Sequence, residues 1–286
     1  MLFSFLVTFR EGVEIALVVA IVLGYLGRTG NRGRFGAVWA GVAAAAVTSV
    51  VFGALLHFTA AGLSGAALEA FEGVTMLTAV AVLTWMVFWM RRQAATIGRA
   101  LRDEIDVAVA GGSLVALVGL AFSAVIREGF ETALFLFAGS TAAKGDALGF
   151  VSGGVLGFVL AGGVGVVIYQ GAHRLPVRQF FSVSGVVVLV LAAGLLSNGL
   201  AELMESGLIP RLGGRPWDTD AILSTTDGVG RFLHTLLGYD SAPTLGQIAA
   251  YFTYLGGGMA ALLIPARRAV RAAQPEPSSE GARASA

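Results

Sequence analysis

The 286-residue chain is 56% hydrophobic and 13% charged, and it carries 40 glycines. The charged share is about half that of an ordinary soluble domain, too little to cover a water-facing surface, which excludes a soluble globular enzyme and a disordered chain and points to a polytopic membrane protein. The absence of cysteine excludes thiolate metal sites, disulfides and iron–sulfur clusters, and a net charge of +1 offers no bulk attraction for nucleic acid.

Seven apolar stretches follow one another, over roughly 2–26, 36–58, 67–90, 108–138, 147–171, 180–204 and 244–266. Each is long enough to cross about 30 Å of hydrocarbon as a helix. Helices are expected because the bilayer core offers no partner for an unpaired backbone group, and the runs do not alternate as barrel strands would. The first stretch carries Arg10 and Glu11 in its middle and lacks a basic leader and a small-residue cleavage site, so it reads as a retained helix rather than a signal peptide. Trp85 and Trp89 near the end of the third fit an interfacial belt. Gly149, Gly153 and Gly157 in the fifth fit close helix packing. Residues 206–243 are the one long loop, holding Asp218, Asp220, Asp227, His234 and Asp240. The tail over 271–286 has the composition of disordered sequence.

The basic residues orient these stretches. Thirteen arginines, among them Arg28, Arg32, Arg34, Arg91, Arg92, Arg99, Arg102, Arg174, Arg178 and Arg267, fall on one side, against Lys144, Arg211, Arg215 and Arg231 on the other. By the positive-inside bias the N-terminus lies outside and the C-terminus in the cytoplasm, a parity that seven crossings satisfy.

Eight of the eighteen acidic residues fall in or at the ends of these stretches: Glu11, Glu14, Glu69, Glu72, Glu128, Glu131, Glu202 and Glu205. All eight stand as Glu-x-x-Glu pairs. On a helix this spacing sets two carboxylates about 60° apart and about 4.5 Å along the axis, so each pair can address one ion. A charge at mid-bilayer costs about 2.5–3.5 kcal/mol and persists mainly where it pairs or lines a pathway. The bland alternative is a set of ion pairs that lock helices together.

Two pairs sit in a longer string: Arg10-Glu11-Gly12-Val13-Glu14 in the first stretch and Arg127-Glu128-Gly129-Phe130-Glu131 in the fourth. The arginine supplies a counter-charge and the glycine permits close helix approach. Motifs in stretches one and four imply two three-helix units, the second entering with reversed orientation, plus a seventh helix. The expected fold is therefore an all-α, polytopic membrane protein of two inverted three-helix repeats and one extra helix. The membrane domain covers 1–270: repeat one about 1–106, repeat two about 107–205, the outer loop 206–243 and helix seven 244–266.

Clustered carboxylates without cysteine suit hard cations, Fe³⁺, Fe²⁺, Mn²⁺, Mg²⁺ or Ca²⁺. His57, His173 and His234 lie away from the motifs. Four glutamates and two arginines leave about two negative charges, which favours a multivalent ion over a monovalent one. Glu69, Glu72, Glu202 and Glu205 fall at the outer ends of stretches three and six, where a ring of carboxylates would raise the local cation concentration.

Paired R-E-G-x-E strings, REGVE and REGFE here, in helices one and four of a seven-helix membrane protein resemble the oxidase-dependent iron transporters, the fungal high-affinity iron permeases and bacterial EfeU-type permeases. The resemblance covers about residues 1–270. It implies Glu11, Glu14, Glu128 and Glu131 as iron ligands and Arg10 and Arg127 as supporting residues. It also implies an extracytoplasmic iron-oxidising or iron-delivering partner, with iron as transported substrate and no permanently bound cofactor. Some relatives are assigned to lead uptake, so permeation of Pb²⁺ or Mn²⁺ stays open, as does a proton/cation antiporter. An enzyme built on a carboxylate-bridged di-iron centre is disfavoured because no Glu-x-x-His occurs. No Walker A string (Gly-x-x-x-x-Gly-Lys-Ser/Thr) is present, so transport on ATP is not expected.

Overall fold

The computed structural model describes residues 1–93, 104–109, 113–142, 147–171, 177–225 and 228–263. Among them are nine α-helices, one short 3-10 helix (Arg32–Arg34) and no strand: α1 (Leu2–Arg28), α2 (Phe35–Ala61), α3 (Ala66–Gln93), α4 (residues 104–109), α5 (Leu114–Ala142), α6 (Ala147–Tyr169), α7 (Val177–Glu205), α8 (Gly228–Leu237) and α9 (Leu245–Leu263). The tail over 271–286 lies outside the described residues, as do His173, Asp227, Lys144, Arg99, Arg102, Arg174 and Arg267.

Helix boundaries follow local chemistry. Ser113 Oγ accepts from the Ala116 amide (3.2 Å) and caps α5. That start lies later than the sequence suggests, because the expected stretch 108–138 divides into α4 and α5. Thr244 and Gln247 form a reciprocal capping box at the start of α9. The Thr244 amide donates to Gln247 Oε1 (2.8 Å), and the Gln247 amide donates to Thr244 Oγ1 (3.3 Å).

Among the described residues, four segments are long and apolar enough to cross a membrane: Arg32–Ala61, Ala66–Met90, Ala147–Tyr169 and Gln179–Glu205. The sequence reading counts seven. α1 and α5 have the length, at 27 and 29 residues, but each carries an arginine and two glutamates in its middle. α9 is shorter, at 19 residues, and less apolar, with Gln247 and two tyrosines.

The helices interleave across the chain. α1 packs chiefly on α6, α2 on α5 and α3 on α7, with α1 and α5 also touching. Glycine makes these approaches possible. A Cβ at Gly157 would fall 2.8 Å from the Phe5 carbonyl, one at Gly153 would strike the Met1 carbonyl, and one at Gly41 would strike that of Val118. Gly153 and Gly157 thus pack as their spacing suggests.

Among the described residues two apolar cores result. One gathers Phe3, Val7, Met76, Phe135, Leu195 and Leu236. The other gathers Val19, Leu26, Val38, Leu117 and Val125. Along α1 and α5 the change from one core to the other falls at the two charged motifs.

The 206–243 segment is not loop throughout. Gly228–Leu237 is α8, which packs on α7 and touches α1 and α5. Its C-terminal Gly238, at φ +67°, abuts Gly194 of α7, where a Cβ would lie 2.7 Å from the Gly238 amide nitrogen. At about 1.5 Å per residue, Gly194 lies about 16 Å from the C-terminal end of α7. The segment therefore folds back into the helix bundle, a position open to non-helical backbone only where protein surrounds it. Asp218–Asp220 is a solvated turn, with the Asp220 amide donating to Asp218 Oδ1 (3.0 Å).

Candidate metal centre

Both motifs lie near the middle of their helices, and the α1–α5 contact brings them together. The motif glycines set the distances to the outer neighbours. A Cβ at Gly12 would lie 2.7 Å from Ala161 Cβ on α6, and one at Gly129 would run into Ser49 Oγ on α2. Each glycine thus lets its helix lie close to its main neighbour, α1 to α6 and α5 to α2.

Arg10 is buried, 3% exposed, and spans two carboxylates. Its Nη1 donates to Glu11 Oε1 (2.5 Å) and to Met86 Sδ (3.1 Å), while Nη2 lies 2.9 Å from Glu14 Oε1. The second motif is built differently. Arg127 Nε donates to Glu131 Oε1 (3.0 Å) and stands 3.8 Å from Glu128 Oε1, and its side chain is 30% exposed. Its guanidinium carbon lies 4.1 Å from the Trp89 ring centroid and 5.0 Å from that of Trp85.

Glu11, Glu128 and Glu131 are all buried, and each offers one oxygen within 4.8 Å of the others. Opposed oxygens around a cation with bonds of about 2.0–2.5 Å lie about 4–5 Å apart, so one hard ion fits this trio. Glu14, the fourth expected ligand, stays outside the trio and pairs with Arg10. Glu11, Glu14, Glu128 and Glu131 each keep a buried Oε2 with no hydrogen-bond partner. Buried acceptors left unpaired are costly unless a cation satisfies them.

A cavity of about 200 Å³ opens beside the trio. Glu14, Glu128, Arg127 and Ser123 give it a polar side and Trp89 and Phe181 an apolar one, on the flank toward the Arg28 end of α1. At about 30 Å³ per water it holds six or seven waters, room for a hydrated divalent ion. On the opposite flank, Phe3, Phe135 and Leu236 close the apolar core over the site. A larger cavity of about 590 Å³ between α1, α6 and α7 is lined by Phe9, Val13, Phe180 and Val183. Apart from Arg10, Gln179 and Ser184 it is apolar, so it suits hydrocarbon rather than an ion.

Glu69, Glu72, Glu202 and Glu205 form no ligand cluster among the described residues. Gly73 and Gly199 do bring the ends of α3 and α7 that carry them together, since a Cβ at Gly73 would lie 3.0 Å from the Gly199 carbonyl. His234 is away from the trio, its Nδ1 donating to the Tyr239 carbonyl (2.7 Å). α3 is the element that sequence reasoning missed at the site, through Met86, Trp85 and Trp89. The i, i+4 spacing of the two tryptophans, which sets both rings on one helical face, was the available signal.

Three comparisons bear on identity. The model of the iron permease FTR1 family matches residues 1–273. The chain is 36% identical over 269 residues to the ferrous iron permease EfeU of Yersinia pestis, covering 93% of this chain and 95% of the relative. It is 34% identical over 279 residues to the ferrous iron permease EfeU of Escherichia coli O6:K15:H31 (strain 536 / UPEC) and to that of Shigella sonnei (strain Ss046), in each case over 96% of this chain and 99% of the relative. No solved structure matches.

Proposed function

The chain belongs to the iron permease FTR1 family, and we propose on that premise that it carries ferrous iron into the cytoplasm through Glu11, Glu128 and Glu131, with Glu14 as a relay. The observation that carries this reading is the convergence of three buried carboxylates from two helices, each with an unpaired oxygen. Four glutamates against two arginines leave about two negative charges, which one divalent ion neutralises. The EfeU relatives are named as ferrous iron permeases.

The protein is read as a multi-pass protein of the cell membrane with seven crossings, α1, α2, α3, α5, α6, α7 and α9, its N-terminus outside and C-terminus inside. The inverted repeat of α1–α3 and α5–α7 is supported by the packing, since α1 meets α6 as α5 meets α2. Met1 and Ser4 face Gly153 as Val118 and Ala121 face Gly41, and Gly12 faces Ala161 as Gly129 faces Ser49. These equivalent residues are equally spaced along the paired helices. A site between such repeats is the common location of transporter substrates.

With this orientation the 200 Å³ cavity faces the cytoplasm and α8 lies over the outer approach. Iron is cargo rather than a resident cofactor, and an extracytoplasmic protein delivers it. Glu69, Glu72, Glu202 and Glu205 gather cations at the outer face.

The test is uptake into proteoliposomes, with Fe²⁺ under reducing conditions compared with Fe³⁺ as a soluble chelate, and Mn²⁺ and Pb²⁺ as competitors. Saturable Fe²⁺ uptake lost in Glu11→Ala supports the proposal. Uptake of Fe³⁺ alone, or Fe²⁺ uptake unchanged in Glu11→Ala, overturns it.

A further inference from the structure

Arg10 and Arg127 hold the same place in the two motifs, yet their surroundings differ. Arg10 is fixed, with both terminal nitrogens committed to glutamates and Nη1 also to Met86. Arg127 commits only Nε to a carboxylate, its Nη2 has no hydrogen-bond partner, and the face of its guanidinium rests on an aromatic pair. The rings of Trp85 and Trp89 are stacked, with centroids 5.9 Å apart and planes inclined by 27°. Trp89 and Arg127 together line the cavity beside the trio.

From this asymmetry we infer that Trp85 and Trp89 are positioning residues that hold the terminal nitrogens of Arg127 off the metal-binding oxygens and leave Nε as its one hydrogen bond to them, so that Arg127 works as a displaceable counter-ion for the transported cation. The inference rests on the trio of Glu11, Glu128 and Glu131 being the metal site. Glu128 and Glu131 serve either Arg127 or the metal, and a cation bound among them repels a guanidinium 3–4 Å away. The displaced group needs a place that is neither a carboxylate nor open hydrocarbon. The face of an indole meets that need, because its attraction for a cation is modest and lacks the directionality of a hydrogen bond. It can therefore hold the group and release it. When the ion leaves through the cavity, Arg127 returns to both carboxylates and opposes rebinding from the same side. Arg10, wedged against Met86, has no such alternative and keeps Glu14 in place.

The test is Mn²⁺ and Fe²⁺ binding to the purified full chain by titration calorimetry under reducing conditions. Trp89→Leu leaves the guanidinium free to compete for Glu128 and Glu131, and metal affinity falls about five- to tenfold. Trp89→Phe, which keeps a weaker aromatic face, recovers part of it. The deciding variant carries Arg127→Gln as well: with no guanidinium to hold, Trp89→Leu then changes affinity less than twofold. A Trp89→Leu effect that persists at full size in the Arg127→Gln background overturns the inference, since a packing role would not depend on the arginine. Unchanged affinity in Trp89→Leu and in the double change Trp85→Leu with Trp89→Leu overturns it too. Retained metal binding in Glu128→Ala instead removes the metal site itself, and with it the premise.

Discussion

Replacing Gly12 by alanine puts a Cβ 2.7 Å from Ala161 Cβ and 3.2 Å from Phe158 Cδ1. Carbon atoms rest at about 3.5–4.0 Å, so α1 and α6 must part by about 1 Å. Two stability effects oppose one another: alanine improves helix propensity by about 1 kcal/mol over glycine, while overpacking costs about 1–3 kcal/mol. The net change is small enough for the protein to reach the membrane. Transport fares worse, because Glu11 adjoins Gly12 and its oxygen must stay within the 4.8 Å trio. A misplacement of about 1 Å at a reacting or binding group costs on the order of a hundredfold. Gly12→Ala is therefore expected to lower iron uptake about 10- to 100-fold in proteoliposomes at matched protein content. Gly24→Ala, on the same helix with nothing within 4 Å of its added Cβ, is the control and keeps uptake near that of the unaltered protein. Equal uptake by the two variants would refute the claim that close α1–α6 packing sets the site.

Glu11→Ala, Glu128→Ala and Glu131→Ala each weaken Fe²⁺ binding by more than the roughly 10–100-fold that outer-shell changes cost, whereas Glu14→Ala lowers the maximal uptake rate more than the affinity; calorimetry and uptake kinetics separate the two. Arg10→Lys breaks a buried two-carboxylate fork, which an ammonium cannot reproduce, and a broken buried pair costs about 3–5 kcal/mol. Its thermal midpoint in detergent falls clearly below that of Arg127→Lys, whose arginine is 30% exposed. Glu69→Gln with Glu72→Gln raises the apparent KM for iron more at low salt than at high salt; an unchanged KM at low ionic strength removes that pair from the entrance. Gly194→Val pushes against Gly238 and loosens α8, read as faster protease cleavage within residues 206–243.

The long helices were legible because apolar runs of the right length are a strong signal: α2, α3, α6 and α7 match their expected stretches within a few residues. The motif pairing was legible too, since REGVE and REGFE stand out in apolar surroundings. What the strings do not carry is which arginine ends up buried, because Arg10 and Arg127 have the same sequence neighbours in kind. That difference comes from α3, which offers Met86 to one and two indoles to the other. The distinction between Glu14 and the other three was hidden for the same reason, being set by the reach of Arg10. α8 was missed because ten residues with His234 and Arg231 read as a polar loop. Its apolar residues Val229, Phe232, Leu233, Leu236 and Leu237 do recur at helical spacing, a signal the loop assignment passed over, whereas the contact of Gly194 with Gly238 that seats it on α7 leaves no periodic apolar trace.

The central claim is that Glu11, Glu128 and Glu131 hold the transported ion between the two apolar cores. An iron anomalous-difference map of the full chain crystallised with Fe²⁺ in lipid under reducing conditions tests it most directly. A peak bounded by the carboxylates of these three residues, at about 2.0–2.3 Å from their oxygens and absent in Glu128→Ala, is the expected result. A peak confined to the outer ends of α3 and α7, or one at the trio that survives Glu128→Ala, would contradict it.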